Sequence, residues 1–107
     1  MEEVDAVYLE SVLNKKNKQI IDVRKSEEFQ QNHLIGAYNK PISDLPVWSK
    51  ELKARNNYYV HCTSGYRSMI AVSLLQLQGA ENVINIKGGY KAIQANQNLK
   101  HKIKTND

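Results

Sequence analysis

Short apolar runs at residues 19–23, 57–61 and 83–86 punctuate the chain, and each is followed by a stretch with turn or helical character instead of a tight hairpin. Runs of four or five residues that are apolar at successive positions fit strands buried on both faces. Strands that alternate with helices pack as a mainly parallel sheet with helices on both faces. The predicted fold class is therefore α/β.

The helical segments carry their own signals. Ala6, Leu9, Val12 and Leu13 recur at helical spacing behind Asp5, a capping residue, and the pattern fades at Asn14. Ser26 is predicted to cap a short helix holding Glu27, Glu28 and Phe29, with negative charge in its first turn. A short strand within residues 33–41 ends in a turn set by Pro41, and Leu45, Trp48 and Leu52 predict another helix. From Ser68 onward Ile70, Ala71, Leu74, Leu75 and Leu77 mark a helix that Gly79 can close. Gly88 and Gly89 turn the chain into a last helix near residues 90–95.

At 107 residues the chain has the size of one domain, with a core at about residues 4–95 and a polar, basic, loosely held tail at 96–107. No apolar run approaches the roughly 18 residues of a membrane span. Met1, Glu2 and Glu3 are acidic where a secretory signal is basic, so the expected location is cytoplasmic. A single cysteine suits a reducing compartment and forms no internal disulfide, and His33, His61 and His101 lack the paired spacing of a zinc site. Neither metal nor cofactor is expected. The charge of +4 includes Lys100, Lys102 and Lys104, but without interleaved aromatic residues this tail predicts no nucleic-acid partner. The expected partners are small anions drawn by a modest positive field, and the default state is a monomer.

The chemistry is concentrated where residues 57–61 run into Cys62, Thr63, Ser64, Gly65, Tyr66, Arg67 and Ser68. This stretch lies at the carboxyl end of a strand, where parallel sheets bind ligands, and leads into a helix whose first amides attract anions. A thiol there, with Arg67 nearby, is more acidic than usual and a better nucleophile. Gly65 admits a positive φ, Ser68 can cap the helix, and the loop amides form an anion nest. A lone cysteine is often an inert buried side chain, yet the strand, glycine-bearing loop and arginine around Cys62 favour reactivity.

The order His61, Cys62, Thr63, Ser64, Gly65, Tyr66, Arg67, Ser68 resembles the active-site loop of the rhodanese family. Asp22, Val23 and Arg24, then Glu28 and Phe29, then His33, Gly36, Ala37, Asn39 and Pro41 resemble its amino-terminal signature, and residues 83–89 its closing strand and double glycine. The resemblance spans about residues 4–95. It departs at Asn32, where glycine is common, and at Ile93, where tryptophan is common; both touch packing more than chemistry. The resemblance implies a sulfurtransferase that moves sulfane sulfur from a donor such as thiosulfate to cyanide or a thiol, protein thiols included, through a Cys62 persulfide. Thr63, Ser64, Gly65, Tyr66 and Arg67 would cradle the group, with Ser68, Asp22 and Arg24 in support.

Other residues carry weaker signals. His61 neighbours Cys62, but successive strand residues face opposite ways, so packing or hydrogen bonding is its expected part. Asp22 and Arg24 suit structural bonds better than catalysis, with Glu28 as another candidate partner for Arg24. His33 is expected to satisfy a turn, and Lys87 reaches the site only if the closing strand ends beside it. Trp48 and the tyrosines outside the loop are read as packing. Three rival readings stay open. A cysteine-dependent phosphatase or arsenate reductase resembles this arrangement, but those enzymes place five residues between cysteine and arginine where this chain has only residues 63–66. The others are a noncatalytic interaction module and a persulfide relay or sensor.

Overall fold

The parallel sheet follows from five short strands whose carboxyl ends lie on one edge. The structure is a computed structural model and describes residues 1–106. In chain order its elements are β1 (Glu3–Val4), α1 (Ala6–Val12), β2 (Lys18–Asp22), α2 (Ser26–Gln31), β3 (Asn32–Leu34), β4 (Ala37–Asn39), α3 (Leu45–Trp48), β5 (Asn57–His61), α4 (Tyr66–Leu77), β6 (Val83–Ile86), α5 (Gly89–Ala95) and β7 (Ile103–Thr105). The main sheet has the order β1-β6-β5-β2-β4, every pair parallel, with Asp22 beside both Asn39 and His61 at its carboxyl edge. The α/β architecture is as the alternating pattern predicts.

Alternation along each strand divides the core in two. Ile21, Val23, Tyr58, Val60, Cys62 and Val83 pack against Leu45, Trp48, Ala71, Val72 and Leu75, which belong to α3 and α4. Ile20, Tyr59, Ile84 and Ile86 face the other way, onto Ala6, Leu9 and Val12 of α1 and Ile93 of α5. A one-residue slip in any central strand would exchange these faces, so burial on both sides fixes the register. Each fully buried aliphatic side chain contributes roughly 1.5–3 kcal/mol, enough in sum to hold the fold without a disulfide. Cys62 is the free thiol of the chain.

Helix ends follow local chemistry. Asp5 caps α1 by accepting from Tyr8 N–H at 2.8 Å, as expected. At α2 the expected cap, Ser26, is instead the first helical residue, because Glu28 reaches back to the Lys25 N–H at 3.0 Å. The expected helix at 45–52 is cut short: α3, with Pro46 in its first turn, follows a 3-10 turn at 42–44 and passes into a second 3-10 turn at 49–51, leaving Leu52 outside. The expected strand near residues 33–41 is two strands with a turn between them at Gly36. No helix among the described residues is long and apolar enough to cross a membrane.

The tail differs from expectation. Leu99 is fully buried against the α1 and α5 side of the sheet, and β7 pairs antiparallel with β3, His33 opposite Lys104. A single well-placed leucine and a three-residue ladder hold a segment whose composition alone reads as solvated.

Candidate active site

Cys62 follows directly on β5, and the chain then reverses through Thr63, Ser64 and Gly65 into α4. Gly65 is the residue before the helix, at φ 110°, ψ −10°, a conformation that costs glycine little and L side chains much. The helix therefore begins at Tyr66, two residues earlier than expected, and Ser68 lies inside its first turn instead of capping it. Its hydroxyl donates to the Gly65 carbonyl at 3.1 Å and lies 3.6 Å from Cys62 Sγ.

The Cys62 side chain is buried, and Sγ accepts a hydrogen bond from Gly65 N–H at 3.2 Å. Burial alone pushes the thiol pKa up, but hydrogen bonding with the Ser68 hydroxyl and with the amides of Ser68, Gly65 and Ser64 outweighs it, and the net direction is down. Four of the five expected cradle residues have a part in this: Gly65 and Ser64 through their amides at the sulfur, and Thr63 and Arg67 in the bracing of the loop. Tyr66 is 74 % exposed and stands at the rim.

Arg67 and Glu28 form the brace. The guanidinium donates to both carboxylate oxygens, at 2.7 and 3.2 Å, and to Thr63 Oγ1 at 2.8 Å, while the Thr63 hydroxyl reaches Glu28 at 3.3 Å. The Arg67 hydrogen bond is the main reason that the Glu28 carboxyl falls from its ordinary 4.5 to about 2, with burial opposing and the Lys25 N–H assisting. Glu28 thus pairs with Arg67 and not with Arg24, the pairing considered from sequence. Sequence reasoning missed this partnership: 39 positions separate the two residues, and only their complementary charge could have hinted at the contact.

From below, α5 closes the loop. Tyr90 N–H donates to the Cys62 carbonyl at 2.7 Å and Lys91 N–H to the Thr63 carbonyl at 2.9 Å. Gly89 makes this approach possible: a Cβ there would lie 2.6 Å from Cys62 O and 2.7 Å from Thr63 O. The double glycine therefore serves the loop by proximity as well as by turning the chain.

Asp22 and Arg24 lie beneath this layer, both buried. Arg24 Nε donates to both Asp22 oxygens at 3.0 Å and its Nη2 to Oδ2 at 2.8 Å and to the Asn32 carbonyl at 2.7 Å, while the guanidinium lies 4.1 Å from the centre of the Tyr90 ring. Asn39 donates to the carbonyls of Asp22 and Arg24 at 3.0 Å each. These bonds tie the strand ends together. His61 faces this cluster, away from the sulfur: Nδ1 meets the Cys62 carbonyl oxygen at 3.2 Å and Nε2 lies 3.9 Å from Asp22 Oδ2. Burial lowers its pKa despite Asp22, so the ring is neutral near pH 7. His33 satisfies the Phe29 carbonyl at 2.7 Å and stacks on the Phe29 ring. Lys87, beyond the end of β6, does reach the site and lines a recess with Ser64, Gly65 and Tyr66. No cluster of three or more potential metal ligands occurs among the described residues.

Comparison with known proteins gives a consistent picture. The family model described as Rhodanese-like domain matches residues 5–96. An uncharacterized protein of Bacillus subtilis (strain 168) is 37 % identical over 68 % of this chain and 58 % of its own length. A sulfurtransferase of Allochromatium vinosum is 30 % identical over 65 % of each chain. The crystal structure of a rhodanese-related protein from Thermoplasma volcanium covers 94 % of this chain and 92 % of its own with a TM-score of 0.76 at 28 % identity. The chain thus matches less than two thirds of the length of either curated relative.

Proposed function

The chain belongs to the rhodanese-like domain family, and from that premise we propose that it is a sulfurtransferase that carries sulfane sulfur on Cys62. The observation that carries the reading is the seat of Cys62 Sγ, 3.2 Å from the Gly65 N–H at the start of a twelve-residue helix, where the net effect of its hydrogen bonds is a more acidic thiol. The sulfurtransferase of Allochromatium vinosum supports the same class of reaction.

In the first half-reaction the Cys62 thiolate attacks the outer sulfur of thiosulfate. A Cys62 S–S bond forms, the donor S–S bond breaks, and sulfite leaves with the bonding electron pair. The terminal persulfide sulfur is then negative and rests among the amides of the loop, which stabilise it without reorganising. In the second half-reaction cyanide or a thiolate attacks that terminal sulfur, and the Cys62 thiolate is restored. Arg67 keeps the loop in shape, since Glu28 already neutralises its charge. Its effect on donor charge is correspondingly small, and the amides carry the larger share. Asp22 and Arg24 support the site by fixing the strand ends.

The reading is tested by initial rates of thiocyanate formation from thiosulfate and cyanide. Transfer through a covalent intermediate gives parallel lines in a double-reciprocal plot, and Cys62→Ser gives none. Intersecting lines, or turnover in Cys62→Ser, would falsify it.

A further inference from the structure

A recess opens beside the loop, lined by Ser64, Gly65, Tyr66, Lys87 and Gly88 on the loop side and by Glu3, Met69 and Asn85 on the other. Asn85 is 1 % exposed and pairs in register with Glu3 on one side and Val60 on the other, the latter two residues before Cys62. Its Nδ2 donates to Glu3 Oε2 at 2.8 Å, which fixes the orientation of the amide. Its Oδ1 is buried and has no hydrogen-bond donor. A buried acceptor without a donor costs about 1–3 kcal/mol, and a strand of otherwise apolar residues could have avoided it with valine or isoleucine. The exposed Lys87 and Glu3 add opposite charges beside it, and Tyr66 and Met69, 74 % and 45 % exposed, stand at its rim.

We propose that this recess is the acceptor subsite, and that it selects a zwitterionic amino-acid or peptide thiol over a neutral one. The proposal rests on the sulfurtransferase reading above. An N–H of the acceptor satisfies Asn85 Oδ1, its carboxylate meets Lys87, and an ammonium group meets Glu3. The thiolate of the bound molecule then lies next to the loop that presents the persulfide. It takes the terminal sulfur by forming a new S–S bond as the Cys62 S–S bond breaks, and the Cys62 thiolate leaves.

The test compares glutathione with 2-mercaptoethanol as acceptors for protein loaded with thiosulfate and freed of excess donor. The readout is the ratio of the two second-order rate constants, which cancels any general loss of activity. In both Asn85→Leu and Lys87→Ala the glutathione preference falls by about tenfold, the loss of a single charge-assisted or buried hydrogen bond. Unchanged ratios in both variants overturn the proposal. A second measurement needs no sulfur transfer: titration of the unloaded protein with S-methylglutathione, followed by the backbone amide resonances of Ser64, Gly65 and Lys87. Saturable shifts that vanish in Lys87→Ala support the subsite even if no persulfide forms; their absence in the wild type overturns it even if persulfide transfer is intact.

Discussion

Replacing Glu28 by Gln separates the charge of the brace from its shape. The carboxyl falls from 4.5 to about 2 chiefly through its hydrogen bond with Arg67. For a fully buried pair such a difference corresponds to about 3 kcal/mol of folding stability. Here the Arg67 and Glu28 side chains are 31 % and 35 % exposed, and solvent screening reduces the expected loss in Glu28→Gln to about 1 kcal/mol near pH 7. The sign follows from the depressed pKa. The unfolded chain takes up the Glu28 proton first, so the contribution is complete above about pH 4.5 and is lost as the pH falls toward about 2. Urea unfolding of both proteins at pH 7, 5, 4 and 3 measures this. The stability gap between them stays constant from pH 7 to 5 and narrows below. A gap of the same size at pH 3 as at pH 7, or no gap at pH 7, would refute the ion-pair account of the brace.

Four further substitutions probe the loop and the packing that holds the fold. Gly89→Ala forces a Cβ within 2.6–2.8 Å of the loop backbone at φ 60°, and should cost about 2–3 kcal/mol and slow alkylation of Cys62; Gly36→Ala, with φ 94° and open space, should cost only the backbone strain, so equal losses in denaturant would contradict the close-packing argument. Ser68→Ala removes one of the groups that lower the Cys62 pKa, and the pH midpoint of iodoacetamide alkylation should move upward; a midpoint that stays put or moves down counts against the proposed role of the hydroxyl. Leu99→Ala should destabilise the fold by about 2–4 kcal/mol in urea melts, as expected for a fully buried leucine, whereas a loosely held tail would show almost no loss.

The parts of the site that sequence reveals are those whose determinants are local. A strand of aromatic and β-branched residues at 57–61, a cysteine, and a glycine three positions later place the thiol at a sheet edge before a helix, and the structure has them there. Gly65 at positive φ and the turn at Gly88 and Gly89 are likewise read from residue type. The start of α4 is not marked in the same way, because a serine is the commoner cap and here a glycine in the left-handed region precedes the helix. Contacts between distant segments left no local signal. Glu28 meets Arg67 across 39 residues, and β7, late in the chain, pairs with β3 from its first third. Asn85 illustrates the same limit: inside an apolar run it reads as an interruption, and only its orphaned oxygen beside the loop gives it meaning.

The most direct test of the central claim is the intact mass of the protein after incubation with thiosulfate, run beside Cys62→Ser. The wild type gains one sulfur atom, the variant gains none, and the sulfur is lost on adding cyanide or a thiol. A wild type that gains no mass with thiosulfate or any other sulfane donor, or a Cys62→Ser variant that gains it equally, would contradict the account.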